Sequence, residues 1–235
     1  ARHSQNTLNK SVSVTLPEAG FNMQRIYLYD KSKISGKGNA LTRSLSQIGV
    51  SYSSNFKNEI NTYDSLISVN QLENLAGDFR NGVRHSIPVS TNIKAFKYLT
   101  ITPSYNYNEV WYFESLKSDY DTALDAVVSD TIGGFVRNGS HSTEVNLSNK
   151  LYGTAVFKNR KIVGVRHVFT PNVGLSYVPE NKGGIQTYYD PIQNRDIEYN
   201  TLQNGIYGTL NQSEQGNITY SFINNLEMKV KTPKD

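Results

Sequence analysis

The feature that most constrains this chain is a hydropathy alternation with a period of two residues, repeated along most of its length. From Ile48 to Ile60 one set of positions reads Ile48, Val50, Tyr52, Ser54, Phe56, Asn58, Ile60, and the set between reads Gly49, Ser51, Ser53, Asn55, Lys57, Glu59. From Val83 to Ala95 the two sets are Val83, His85, Ile87, Val89, Thr91, Ile93, Ala95 and Arg84, Ser86, Pro88, Ser90, Asn92, Lys94. Leu99, Ile101, Pro103, Tyr105 and Tyr107 alternate with Thr100, Thr102, Ser104, Asn106 and Asn108. Val165, His167, Phe169, Pro171, Val173, Leu175 and Tyr177 form another face, and Ile218, Tyr220, Phe222, Leu226, Met228 and Val230 a further one. A period of two belongs to strands, whose successive side chains point to opposite sides, and these strands have one apolar and one polar face. Val12, Val14 and Leu16 alternate until Pro17-Glu18-Ala19-Gly20, after which Phe21, Met23 and Tyr27 take the opposite parity; one inserted residue, a β-bulge, has that effect. Val145, Leu147 and Leu151 mark one more strand, and with a stub at 1–6 the count is about eight. The best helical turn, Asn70 to Leu75, is short.

Several runs reach about 12–15 residues, whereas ordinary strands are commonly about 5–6 long and a tilted strand crosses a bilayer in ~9–11. Hydrophobic residues are only 37% of the 235, too few for a generous soluble core, yet aromatics reach 11%. Alternation reconciles the two, because it averages to low hydropathy. The segments near 61–82, 117–133 and 180–215 read as long polar connections, against a short turn at Phe96-Lys97-Tyr98; long and short connections at opposite ends typify outer-membrane barrels. The expected fold is therefore all-β, an antiparallel transmembrane β-barrel segment. Its apolar face, including Val50, Tyr52, Val89, Ile101, Val173 and Phe222, is expected to meet lipid. Its Ser/Thr/Asn face would line a wet lumen and carry the basic residues Lys57, Arg84, Lys94, Lys150 and Arg166. Tyr27, Tyr29, Trp111 to Phe113, Tyr177 and Tyr220 fit interfacial aromatic girdles. A soluble β-sandwich or surface adhesin also shows one-sided alternation, but this polar face is too polar for a packed sandwich core.

A net charge of +4 is far from the dense basic surface of a nucleic-acid binder, and the absence of cysteine removes disulfides, thiolate zinc sites and cysteine nucleophiles. No apolar run approaches the ~18–20 residues of a membrane helix, and Ala1-Arg2-His3-Ser4 is not a signal peptide. His85 and His167 both sit in Gly-Val-Arg-His; they are expected at strand starts near the membrane interface, with Arg84 and Arg166 turned to the lumen. Asp119, Asp121, Asp125 and Asp130 suggest calcium oxygens, but Ala123 and Leu124 break the EF-hand pattern, so a solvated loop is the better reading. There is no G-x-S-x-G elbow, no phosphate-binding glycine loop and no H-E-x-x-H. The residues offer no enzyme chemistry and call for no cofactor.

Five motifs occur in order: Thr15-Leu16-Pro17-Glu18, the run Asn81 to Ser90 (Asn-Gly-Val-Arg-His-Ser-Ile-Pro-Val-Ser), Thr102 to Glu109, Arg166 to Pro171, and Asn224 to Val230. Together they resemble the barrel of the lipopolysaccharide-assembly outer-membrane protein, the LptD family. The resemblance implies residence in the bacterial outer membrane and a parent barrel of about twenty-six strands behind a periplasmic β-jelly-roll domain. It also implies a lipoprotein plugging the lumen, periplasmic transport components upstream, and lipopolysaccharide leaving through a seam between the first and last strands. Residues 1–235 are expected to be a single internal barrel segment, roughly a third of such a wall, without the jelly roll, the family's cysteines or a terminal aromatic strand. A segment of a porin or nutrient transporter is the alternative.

Overall fold

The structure is a computed structural model, and it describes residues 2–29, 45–63, 79–95, 98–158 and 161–231. In chain order the strands are β1 (Arg2–Asn6), β2 (Ser11–Tyr27), β3 (Gly49–Tyr63), β4 (Arg80–Ser90), β5 (Ile93–Ala95), β6 (Leu99–Asp121), β7 (Ala126–Asn149), β8 (Leu151–Val156), β9 (Ile162–Val178), β10 (Ile185–Asp190), β11 (Arg195–Asn200) and β12 (Gln215–Val230). The main sheet is antiparallel throughout and runs β1-β2-β3-β4-β6-β7-β9-β12, which is eight strands. The short strand β5 continues β4 along β6, and β8 continues β7 along β9, each in unbroken register. The two remaining strands, β10 and β11, form a separate hairpin inside the connection from β9 to β12. Among the described residues no helix is long and apolar enough to cross a membrane, which bears on helices only. The turn expected at Asn70 to Leu75 lies outside the described residues, as do Phe96 and Lys97.

Register explains why alternation survives so many strands. Val50 lies opposite Val89, Val89 opposite Tyr105, Tyr105 opposite Thr143 and Thr143 opposite Tyr177. Each cross-strand row thus keeps one parity, and the apolar sets of successive strands fuse into one continuous face. From that row the apolar run on β3 extends toward Tyr63, through Tyr52, Phe56 and Ile60, while on β9 it extends the other way, through Leu175, Val173 and Phe169. The apolar band crosses the sheet obliquely, as it must if strands lean about 35–45° from a membrane normal. The pairing of β2 with β3 shifts register between Thr15 and Glu18, where the parity change predicted a bulge.

Tyr63 and Arg80, the ends of β3 and β4, lie at the same end of the sheet as the turn 122–125 and the connection 179–214. One of the expected long loops is not a loop. Residues 117–133 are strand on both sides of a turn at 122–125, so β6 and β7 reach 23 and 24 residues. Here Asp121 Oδ1 accepts the Ala123 amide at 2.7 Å, and Asp125 takes a positive φ of 52°.

Among the described residues neither β1 nor β12 has a second partner, so the described sheet is open at both edges. In lipid every unpaired backbone group costs several kcal/mol. Residues 1–235 refolded alone in detergent are expected to aggregate; a protease-resistant, heat-modifiable monomer would contradict this.

Candidate functional site

The polar face of the sheet is the part of the molecule with something to do beyond meeting a solvent. On it stand Ser53, Asn55 and Lys57 of β3, Arg84 and Ser86 of β4, Thr100 to Asn108 at even positions of β6, and Asn138 to Ser148 at even positions of β7. Near the end that carries connection 179–214 this face changes character. Val110, Tyr112 and Val136 follow the same parity as the serines and asparagines, yet they are apolar.

Connection 179–214 lies over that patch. Leu202 and Leu210 pack with the fully buried Val110 and Tyr112, and Val136, Ile206 and Tyr207 close around them. The Tyr112 ring fits because its neighbours are glycines. A Cβ on Gly82 would stand 2.8 Å from the ring, and one on Gly205 would stand 2.5 Å from it. The Tyr112 hydroxyl donates to the Gly208 carbonyl at 2.8 Å and accepts from the Tyr207 amide at 3.2 Å, while Gly208 takes a φ of +65° that favours glycine. The Tyr207 hydroxyl reaches Asn55 on β3, 2.7 Å from its carbonyl oxygen and 2.6 Å from Oδ1. Asn138 Nδ2 donates to the Gly183 carbonyl at 3.1 Å, the Leu116 amide to the Thr201 carbonyl at 2.7 Å, and Arg80 Nη1 to the Asn204 carbonyl at 3.3 Å. These bonds pair polar groups across the seam, while Asn181 Nδ2 and Gln212 Nε2 of the same connection are buried without a hydrogen-bond partner. The segment expected at 180–215 as a long polar connection thus also carries apolar residues that dock on the sheet.

The five basic residues of the polar face fall into two groups. Lys57 Nζ lies 5.6 Å from the centre of the Tyr207 ring, and Arg84 is close enough to act on both Tyr112 and Tyr207, so this pair sits beside the covering segment. Lys94 and Lys150 are exposed at the opposite end, where they line one cleft of about 320 Å³ with Tyr98, Thr100, Ser148 and Tyr152. Arg166 stands on the next strand, 5.5 Å from the Tyr152 ring centre and 3.7 Å from a carboxylate oxygen of Glu227. The sequence placed all five on polar parity; it could not divide them.

Burial pushes the Tyr207 phenol up to about 12, with Glu18 adding to the rise and Arg84 opposing it. A phenol that ionises near 10 when unfolded and later when docked favours docking fully below pH 10; that contribution disappears as pH climbs through 12. An ultraviolet difference titration of wild type against Tyr207→Phe should show one tyrosine ionising near pH 12. A difference centred at the ordinary value of about 10 would mean the segment is not docked.

On the apolar face Val50, Tyr52, Val89, Ile101, Val173 and Phe222 share one side of the sheet, Val173 opposite Leu147 and Tyr220. A ladder of rings crosses four strands there: Tyr52–His85 5.9 Å, His85–Trp111 4.2 Å, Trp111–Phe135 5.8 Å. His85 is thus not at a strand start but within β4, 9% exposed, its Nδ1 2.7 Å from the Tyr52 hydroxyl. Of the aromatic trio expected in a girdle, Trp111 takes the apolar side and Tyr112 points to the opposite, covered side. Among the described residues no group of three or more His, Cys, Asp or Glu is placed to hold a metal ion.

A long-stranded antiparallel sheet, mainly apolar on one face apart from the Glu109–Arg137 pair and hydroxyl- and amide-rich on the other, is a segment of transmembrane β-barrel wall. The family model described as "LptD protein" matches residues 1–235, and the chain belongs to that family. No curated protein and no solved structure matches the chain.

Proposed function

We propose that this chain forms part of the wall of an outer-membrane barrel that assembles lipopolysaccharide into the outer leaflet. The observation that carries the reading is the register: one parity is mainly apolar from β3 to β12 and the other mainly hydrophilic, interrupted on the apolar side by the ion-paired Glu109 and Arg137 and on the polar side by the covered patch of Val110, Tyr112 and Val136. Family membership supports it. The apolar side, with Val50, Tyr52, Val89, Ile101, Val173 and Phe222, faces outer-membrane lipids. The polar side faces a wet lumen in which the saccharide of an amphiphile travels without entering hydrocarbon. Lys57, Arg84, Lys94, Lys150 and Arg166 supply positive charge along it, suited to phosphorylated sugars. Connection 179–214 narrows the lumen at one mouth, which is the extracellular one. The residues 1–235 act as one barrel segment, and the jelly-roll domain, the plug lipoprotein and the periplasmic transport components belong to the assembly around it. The work is transport rather than catalysis.

Depleting the parent protein from cells should remove lipopolysaccharide from the surface, read with an antibody on intact cells. In the same cells, the parent carrying Leu124→Cys at the β6–β7 turn should react with a membrane-impermeant maleimide, since Leu124 is 67% exposed and residues 1–235 contain no other thiol. Unchanged surface lipopolysaccharide would remove the functional reading; labelling only after lysis would invert the orientation.

A further inference from the structure

Lys57 is half-buried beside the Tyr207 ring, whereas Lys94 and Lys150, like Arg84, are exposed, and they are so at the end of the sheet away from the covering segment. Lys94 stands on β5 opposite Thr100 of β6, Thr100 is opposite Ser148 of β7, and Lys150 follows two residues on with the same parity. Two ammonium groups therefore flank two hydroxyls across three adjacent strands. Tyr98 and Tyr152 wall the same cleft.

Charge balance in this neighbourhood is one-sided. No carboxylate lines the cleft, and neither lysine is ion-paired among the described residues. Of the acids on the polar face, Glu144 accepts from Asn146 Nδ2 at 2.6 Å, and Glu227 pairs with Arg166. Arg166 lies over Tyr152 on β9, but its charge is balanced by Glu227, so Lys94 and Lys150 are the unpaired cations of the cleft among the described residues. Lysines project as compact point charges on flexible stems, which suits a phosphoryl group. The hydroxyls of Thr100 and Ser148 add donors, and tyrosine faces suit the C–H surface of a sugar ring.

We propose that the cleft between Lys94 and Lys150 binds a phosphate group, as borne by a phosphorylated saccharide, at the mouth of the lumen opposite connection 179–214. This rests on the lipopolysaccharide reading and sharpens it: the cleft takes the phosphorylated sugar, not the acyl chains. It is an open station at one mouth, while Lys57 and Arg84 lie beside the covering segment at the other.

The test uses the full-length parent protein in detergent with three probes: lipopolysaccharide with its phosphates intact, the same material after phosphatase treatment, and inorganic pyrophosphate. Wild type should retain the intact form at least about tenfold better than the dephosphorylated form, and this preference should weaken with added salt. Lys94→Gln with Lys150→Gln should abolish the preference and its salt dependence. Lys94→Arg with Lys150→Arg should restore most of it, which excludes a folding defect. Lys10→Gln, in the exposed turn after β1, should change nothing. Competition by pyrophosphate at the same two lysines would show that phosphate alone suffices; its failure to compete would assign recognition to phosphate and sugar together, and both support the site. An unchanged preference in the double Gln variant overturns the cleft while the transport reading stands. Failure of wild type to bind either form, with surface lipopolysaccharide unchanged on depletion, overturns the transport reading itself.

Discussion

Val173→Arg in the complete barrel should cost about 2–4 kcal/mol of folding stability in lipid, and Asn172→Arg, one residue away, close to nothing. The two positions differ only in parity. Val173 sits mid-strand on the apolar face between Leu147 and Tyr220, with Tyr177 and Phe169 four residues to either side. An arginine there would hold a guanidinium in hydrocarbon, with a snorkelling route blocked by distance in both directions. Asn172 lies between Ser148 and Ser221 on the polar face, where a cation meets water and hydroxyls. Val89→Arg and Ser90→Arg repeat the comparison on β4. The measurement is urea unfolding of the full-length protein in liposomes, followed by its heat-modifiable band. Equal effects at both parities would mean that neither face meets lipid.

Tyr112→Ala should be the most damaging change to the covering segment. The ring is 1% exposed and fills the slot between Gly82 and Gly205, and its hydroxyl both donates to Gly208 and accepts from Tyr207. Truncating a buried aromatic of this size costs about 3–5 kcal/mol, and here the loss falls mainly on the docking of 179–214 rather than on the sheet, whose backbone ladder is untouched. Amide exchange in residues 200–210 should accelerate by at least a hundredfold, while exchange in β6 and β7 stays slow. Gly205→Val should do the same by the opposite route, because its side chain would collide with the ring. Tyr112→Phe keeps the packing, loses the two hydroxyl bonds, and should sit about 1 kcal/mol from wild type. If exchange in 200–210 ignores all three substitutions, the segment does not depend on this slot.

These outcomes divide along a line visible in the sequence. Parity is a direct record of which side of a strand is apolar, so the faces through Val50, Val89, Ile101 and Val173, and even the bulge after Thr15, could be read without coordinates. The mid-strand position of His85 could not, because alternation reports sides and not heights. The strand character of 117–133 was hidden for a physical reason: both faces of Lys117 to Asp121 and of Asp130 carry polar residues, so alternation fades although backbone pairing continues to Asp121 and Ala126. The docking of 179–214 left a faint signal. Val110, Tyr112 and Val136 interrupt an otherwise hydrophilic parity, and Leu202, Ile206 and Leu210 recur every four residues in a segment with no strand of its own between them. Apolar residues on the wet side of a barrel wall need a cover, and these two sets answer one another. The open cleft at Lys94 and Lys150 was out of reach, because nothing in a linear chain tells which of five cations a distant segment will approach.

The hairpin of β6 and β7 has one more consequence. About 11 residues suffice to cross the hydrocarbon, so a strand of 23 has roughly a dozen to spare, and at ~3.3 Å each they measure about 40 Å along the strand. With that end outward, the turn at Thr122 to Asp125 is a mast, standing in the sugar coat of the cell rather than beneath it. On the orientation proposed above, an antibody or a phage fibre would meet this acidic, backbone-braced tip before anything at the level of the sheet's polar face.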